Sequence, residues 1–155
     1  MIEIKIWGYG GQGVVTAAQV LAIAAFHDKK YSQAFPMFGV ERRGTPVYSF
    51  IRINNKPIKL RSQIYKPDYN IILDQRLLKN IKHGKLIVNT SKKIKNAYCF
   101  NANDLKFINI AMICTFAKFT NIVSKKSLFK AIKDKFKNNP EIIKQNKKIL
   151  EKIWK

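Results

Sequence analysis

Acidic side chains are scarce in this sequence: nine Asp and Glu stand against thirty Lys and Arg in 155 residues, a formal net charge of +21. Arginine is scarce within that excess, with Arg42, Arg43, Arg52, Arg61 and Arg76 the five present. Proteins that read nucleic-acid grooves lean on the bidentate arginine fork. Here lysine supplies the charge, scattered among many Asn and Ile, the composition that A/T-rich codons produce. The densest groups, Lys92–Lys95, Lys125–Lys137 and Lys144–Lys155, fall on predicted helix surfaces or loops. They read as solvated faces, and no nucleic-acid partner is expected. Cysteine is nearly missing: Cys99 and Cys114 cannot form a CxxC pair, and two thiols cannot supply the four ligands of a four-iron cluster. Both are expected as small buried hydrophobes in a reducing cytosol. Histidine is limited to His27 and His83, and no GxSxG elbow, P-loop lysine, HExxH or paired-carboxylate pattern occurs. Long apolar runs are absent too. The longest charge-free helical stretch, Val14–Phe26, falls short of the roughly twenty residues of a membrane span. Met1–Trp7 reads as a strand, not a signal peptide. A soluble, cytoplasmic chain with no membrane partner is expected.

What is present is a core. Hydrophobic residues make up 46% and aromatics 12% of the chain, enough for one domain over residues 1–155. Ile2, Ile4 and Ile6 alternate with Glu3 and Lys5, the period of a strand. A glycine-rich turn follows, then a helix from Val14 to His27 that is apolar on most sides. Tyr31–Phe35 reads as a second strand broken by Pro36, and Ala34–Pro46 has no period. Val47–Ile53 and Pro57–Leu60, flanking Asn54-Asn55, read as a hairpin. Tyr69–Leu73 (ending in Asp74), Lys85–Asn89 and Ala97–Phe100 read as strands, and Gln75–Ile81 as a short helix closed by Gly84. From about residue 110 to the end the period becomes helical. Ala111–Phe119 is one helix. Ser124 caps a second with Leu128, Phe129, Ile132 and Phe136 on one stripe, and Asn139-Pro140-Glu141 opens a third. The fold expected is α/β: a Rossmann-like three-layer domain with a mostly parallel sheet, a β-hairpin insertion and C-terminal helices.

The chemistry concentrates in Gly8-Tyr9-Gly10-Gly11-Gln12-Gly13. Gly8, Gly10 and Gly13 fit G-x-G-x-x-G, directly after a strand and before a helix, the context that motif requires. Gly8 permits the tight turn, Gly10 lets a ligand approach the backbone, and Gly13 lets helix and strand pack closely. The helix N-terminus offers free N–H groups to a phosphate. The same glycines also serve plain close packing, and both readings stand. The acid that would hold a nicotinamide ribose about twenty residues on is missing: Ala34-Phe35-Pro36 occupies that place, and Asp28 sits at the helix end.

Two segments together make a resemblance specific. Gly8-Tyr-Gly-Gly-Gln-Gly-Val-Val-Thr-Ala-Ala (to Ala18) and Gln33-Ala-Phe-Pro-Met-Phe-Gly-Val-Glu-Arg-Arg-Gly-Thr-Pro-Val (to Val47) resemble the gamma subunits of pyruvate:ferredoxin oxidoreductases. Arg52-Ile53, Pro57-Ile58, Ile64-Tyr65-Lys66-Pro67-Asp68, Ile72-Leu73-Asp74, Asn109-Ile-Ala-Met and Phe116-Ala117-Lys118 continue it in order. Cys114 and Asn121 stand where that family has glycine, and Lys29-Lys30 where glycine is common. The resemblance implies a subunit of an enzyme that converts a 2-oxo acid and CoA to acyl-CoA and CO2 while reducing ferredoxin or flavodoxin. It implies alpha, beta and delta partner subunits that hold thiamine diphosphate, Mg2+ and 4Fe-4S clusters, with no catalytic residue, metal or cofactor of this chain's own. Gly8, Gly10, Gly11, Gln12, Gly13, Arg42 and Arg43 become candidates for contacts to CoA phosphates or to a neighbouring subunit. The double arginine fits the pyruvate or branched-chain 2-oxo acid type. A stand-alone dinucleotide-binding protein, argued from the glycine loop, and a nucleic-acid-binding module, argued from charge, are the alternatives.

Overall fold

The computed structural model describes residues 1–37 and 44–155. Its elements run β1 (Ile2–Tyr9), α1 (Val14–His27), β2 (Tyr31–Met37), β3 (Pro46–Asn54), β4 (Tyr69–Ile72), a 3-10 helix (Gln75–Asn80), β5 (Lys85–Asn89), β6 (Ala97–Phe100), α2 (Ile108–Thr120), α3 (Lys125–Lys135) and α4 (Pro140–Trp154). The strands form one sheet in the order β2-β3-β1-β4-β5-β6. The pairings β1–β4, β4–β5 and β5–β6 are parallel, while β1–β3 and β2–β3 are antiparallel.

The alternation in β1 sets the two faces. Ile4 and Ile6 are fully buried, as are their neighbours Ile51, Ile71 and Ile87, and on this face lie the alanines of α1 (Ala17, Ala18, Ala24, Ala25). Small side chains there let the helix lie close over β1, β2 and β3. Helix α2 covers the other half of the same face, with Phe116 edge-on to Tyr69 at 5.4 Å between ring centroids. Outside them α3 and α4 add a further tier, each with the cap read from sequence. Ser124 Oγ accepts from Ser127 N at 3.1 Å, and Asn139 Oδ1 from Ile142 N at 3.1 Å.

The opposite face carries a thinner layer, the 3-10 helix and residues 55–66. Leu77 packs with Trp7, Ile72 and Val88. Arg52, fully buried, donates from Nε to Glu3 Oε1 at 2.8 Å and from Nη2 to the Ser62 carbonyl at 2.6 Å, tying that segment across β3.

Several expectations need correction. The hairpin is made by β2 and β3, not by Val47–Ile53 with Pro57–Leu60. The latter residues form no strand, and the Leu60 and Ser62 carbonyls are taken by the Gln33 and Arg52 side chains. Pro36 does not break β2, which continues to Met37, because β2 is an edge strand, where a missing N–H need not cost a ladder bond. The segment Gln75–Ile81 is a 3-10 helix ending at Asn80, and α2 begins three residues before Ala111. Lys29 (φ 60°) and Asn121 (φ 53°), two positions where the resemblance leads one to expect glycine, adopt left-handed backbone.

Candidate functional site

β1 ends at the point where the sheet changes sense, with antiparallel β3 on one side and parallel β4 on the other. Crevices outside the carboxyl ends of strands form at such switch points. The glycine loop closes on itself there: Gln12 N donates to the Tyr9 carbonyl at 3.1 Å, and Gln12 Oε1 accepts from Tyr9 N at 2.7 Å. The glycines divide by role. A Cβ on Gly8 would lie 2.6 Å from Val14 Cγ2, and one on Gly13 (φ +75°) would lie 2.5 Å from Asn109 Nδ2, so both serve packing. Gly11 needs its positive φ of 84°. At Gly10 a Cβ would meet no atom within 4 Å, and no left-handed φ requires glycine. Nothing within the described chain accounts for the missing side chain at Gly10, and its backbone lies open.

Two helices begin beside this loop without side-chain caps. Gly13 precedes α1 and Phe107 precedes α2, neither end has a capping side chain, and neither first turn carries an acid. Their first N–H groups lack intrahelical partners and carry partial positive charge. Asn109 Nδ2 donates to the Gly13 carbonyl at 3.2 Å and joins the two ends. Around them lies a pocket of about 410 Å³ lined by Gly11, Gln12, Gly13, Thr16, Lys106, Phe107, Ile108, Asn109 and Phe136. A second pocket of about 320 Å³, lined by Gln12, Leu73, Asp74, Gln75, Arg76, Asn89, Asn103 and Ile108, shares Gln12 and Ile108 with it. Together they form one crevice along the ends of β1, β4 and β5.

Its second half is polar and self-paired. Asp74 receives two bonds from the Arg76 guanidinium, at 2.9 and 2.7 Å, and one from Arg76 N at 3.0 Å. The Arg76 side-chain bonds, chiefly, hold the Asp74 carboxyl below its ordinary range, against the effect of burial and with help from Gln12. The same guanidinium lies 4.9 Å from the centre of the Tyr9 ring. Asn89, at the end of β5, donates to the Leu73 carbonyl at 2.9 Å and to Asn103 Oδ1 at 3.0 Å, and accepts from Ala102 N at 2.8 Å. With Asp74 spoken for, Lys106 and the helix ends leave the crevice receptive to an anion.

The structure thus brings Gly8, Gly10, Gly11, Gln12 and Gly13 together in one loop, and Arg42 and Arg43 lie outside the described residues. Sequence reasoning passed over Asn103 and Lys106, and quoted Asp74, Arg76, Asn89 and Asn109 without a role. The signal was available: Asp74 and Asn89 are the polar residues that end apolar strands, where such crevices open. His27 is paired with Asp134 at 2.5 Å, away from this crevice, and burial pushes the Cys114 thiol far above its usual range. Among the described residues no group of three or more His, Cys, Asp and Glu could hold a metal ion, and no helix is long and apolar enough to cross a membrane.

The profile of the pyruvate ferredoxin/flavodoxin oxidoreductase family matches residues 3–154. The chain is 48% identical over 155 residues to the pyruvate synthase subunit PorC of Methanocaldococcus jannaschii, covering 88% of this chain and 87% of that one. It is 44% identical over 161 residues to the pyruvate/ketoisovalerate oxidoreductases common subunit gamma of Pyrococcus furiosus, with the same coverage of 88% and 87%. Its fold superimposes on the pyruvate oxidoreductase subunit PORC of Thermotoga maritima with a TM-score of 0.81, at 28% identity, covering 99% of this chain and 94% of that one.

Proposed function

The chain belongs to the pyruvate ferredoxin/flavodoxin oxidoreductase family, and from that premise we propose that it is the gamma subunit of a multi-subunit pyruvate:ferredoxin oxidoreductase. The complex converts pyruvate and CoA to acetyl-CoA and CO2 and passes two electrons to ferredoxin or flavodoxin. The observation that carries this reading is the 48% identity to a pyruvate synthase subunit over nearly the whole of both chains. Alpha, beta and delta subunits are its partners, in the cytoplasm, and thiamine diphosphate, Mg2+ and 4Fe-4S clusters are held by those chains. The relative named as common to pyruvate and ketoisovalerate oxidoreductases favours a second reading, in which the same gamma chain also serves a branched-chain 2-oxo acid enzyme.

Within that complex the crevice receives the phosphates of CoA. The open backbone at Gly10 and Gly11 lets a diphosphate approach, the uncapped N–H groups of α1 and α2 donate to it, and Lys106 adds a full positive charge. Gln12 and Asn109 hold the loop in shape. Bound there, CoA supplies the thiol that accepts the acyl group; this chain's part is to orient the carrier of that thiol. A nicotinamide role has less support. Strand β3 lies between β1 and β2, so the end of β2 is displaced by one strand from the place where a ribose-binding acid is needed.

Two measurements test the proposal. Anaerobic affinity isolation of the tagged chain from its native cells is expected to recover three partner chains and pyruvate- and CoA-dependent ferredoxin reduction. Recovery of a fully active complex without this chain would overturn the subunit assignment. In the assembled enzyme Gly10→Ala is expected to raise the KM for CoA several-fold with kcat and KM for pyruvate unchanged. An unchanged KM for CoA would remove the phosphate role of the loop.

A further inference from the structure

Helix α1 starts at the crevice and runs back along the sheet, so its last turn lies at the opposite end, beside the start of β2. Between the two is a separate hollow of about 360 Å³, lined by Phe26, Lys29, Lys30, Tyr31 and Ser32. Its walls are rings left in the open: Phe26 is 70% exposed and Tyr31 50%, although the other large apolar side chains of α1 are buried or half-buried. Ser32 Oγ donates to the Ala22 carbonyl at 2.8 Å and holds the strand to the helix. Strand β2 is also the outermost on this side of the sheet, and among the described residues no strand pairs with its outer edge.

The rim of the hollow is positive. Lys29 is exposed and held in left-handed backbone at φ 60°, which glycine adopts without strain and lysine does not. Strain kept at a surface position points to a use for the side chain. Lys30 Nζ donates to the Ile122 carbonyl, and Ser124 N and Oγ donate to Asp28, so the start of α3 is drawn alongside. Lys125 and Lys126 occupy the first turn of α3, which holds no acid. Cations there face the positive end of the helix dipole, an arrangement that an anion beside them relieves. The nearby acids are already engaged, Asp28 by Ser124 and Ser127 and Asp134 by His27. Among the described residues neither Lys29 nor Lys126 is paired with a carboxylate.

We propose that this hollow is a docking site for an acidic, extended segment of a partner protein. One large apolar side chain of that segment fills the space between Phe26 and Tyr31, its carboxylates meet Lys29 and Lys126, and its backbone runs beside the open edge of β2. A second copy of this chain is a poor occupant, because it would bring another charge of +21 against the same rim. A lipid surface is met by apolar groups that protrude, whereas these rings wall a concave space next to unpaired strand backbone.

The experiment titrates the full chain, at physiological salt, with a fluorescein-labelled peptide carrying one phenylalanine among aspartates and glutamates, read by polarisation. A chain of +21 attracts any polyanion, so the result rests on matched comparisons. Phe26→Ser is expected to weaken binding about tenfold with no fall in melting temperature, since the ring is mostly in solvent. Lys29→Gln is expected to weaken it about threefold, while Lys144→Gln, the same change of charge near the start of α4, leaves it unchanged. Alanine in place of the peptide's phenylalanine, or glutamine in place of its acids, should also weaken binding. Equal losses for Lys29→Gln and Lys144→Gln, or no loss for Phe26→Ser, would overturn the proposal. So would Phe26-dependent binding to phosphatidylserine vesicles by a chain that does not bind the peptide. None of these readouts depends on the assembly of a pyruvate-oxidising complex.

Discussion

Gly10 and Gly13 are separated by three positions in one loop and differ in what a methyl group would do. At Gly13 it would meet Asn109 Nδ2 at 2.5 Å with the backbone at φ +75°, so Gly13→Ala is expected to cost about 2 kcal/mol in chemical denaturation. At Gly10 there is open space, and Gly10→Ala should melt within about 0.5 kcal/mol of the parent chain. Equal losses at the two positions would mean that the loop is packed more tightly than this geometry has it. Asn121 shows the same physics without a glycine: it closes α2 at φ 53° with its N–H on the Ala117 carbonyl. Asparagine tolerates left-handed backbone far better than β-branched residues. Asn121→Val is therefore expected to lose about 1–2 kcal/mol, and Asn121→Gly to be neutral or mildly stabilising, by thermal melting. The sequence marked this position only through resemblance, because a single asparagine carries no local sign of its own φ.

The junction of α1 with α3 depends on one carboxylate. Asp28, at the C-terminal cap of α1, accepts from Ser124 N at 2.6 Å, Ser124 Oγ at 2.7 Å and Ser127 Oγ at 2.6 Å, so it ties down the first turn of a helix almost a hundred residues away in the chain. Burial alone would raise its pKa, but the Ser127 and Ser124 hydrogen bonds and the nearby Lys30 outweigh that and lower it from 3.8. A lowered folded-state pKa means that the stabilisation is full above the ordinary carboxyl value and is lost as pH falls through the depressed one. Stability is thus expected to fall below about pH 3.8, and Asp28→Asn should flatten that part of the acid curve in urea titrations at stepped pH. Helix boundaries near this junction were readable from Ser124, Asn139 and Pro140, since caps are local chemistry. The partner of Asp28 was not, because the bond joins segments brought together only by the sheet beneath them.

A charge of +21 on 155 residues sets the behaviour of the whole molecule in solution. Among the described residues the carboxylates of Glu3, Asp74 and Glu151 are paired with Arg52, Arg76 and Lys147, and the lysine excess repels itself in the folded state. Shortening the Debye length from about 30 Å to about 3 Å with salt should raise the melting temperature by a few degrees. A melting temperature that falls with added chloride would contradict that account.

Composition and period were enough to establish an α/β chain with a buried first helix and a glycine turn before it. Hydrophobic spacing and capping are written in adjacent residues and act locally. The order of the strands was not legible: β3 enters between β1 and β2, Pro36 is tolerated at an edge, and residues 55–66 are drawn over the sheet by Arg52 instead of pairing as a strand. Those outcomes depend on which backbone groups find partners far along the chain. The crevice that joins Gly11 and Gln12 to Asp74, Asn89 and Lys106 exists only after that long-range pairing is complete.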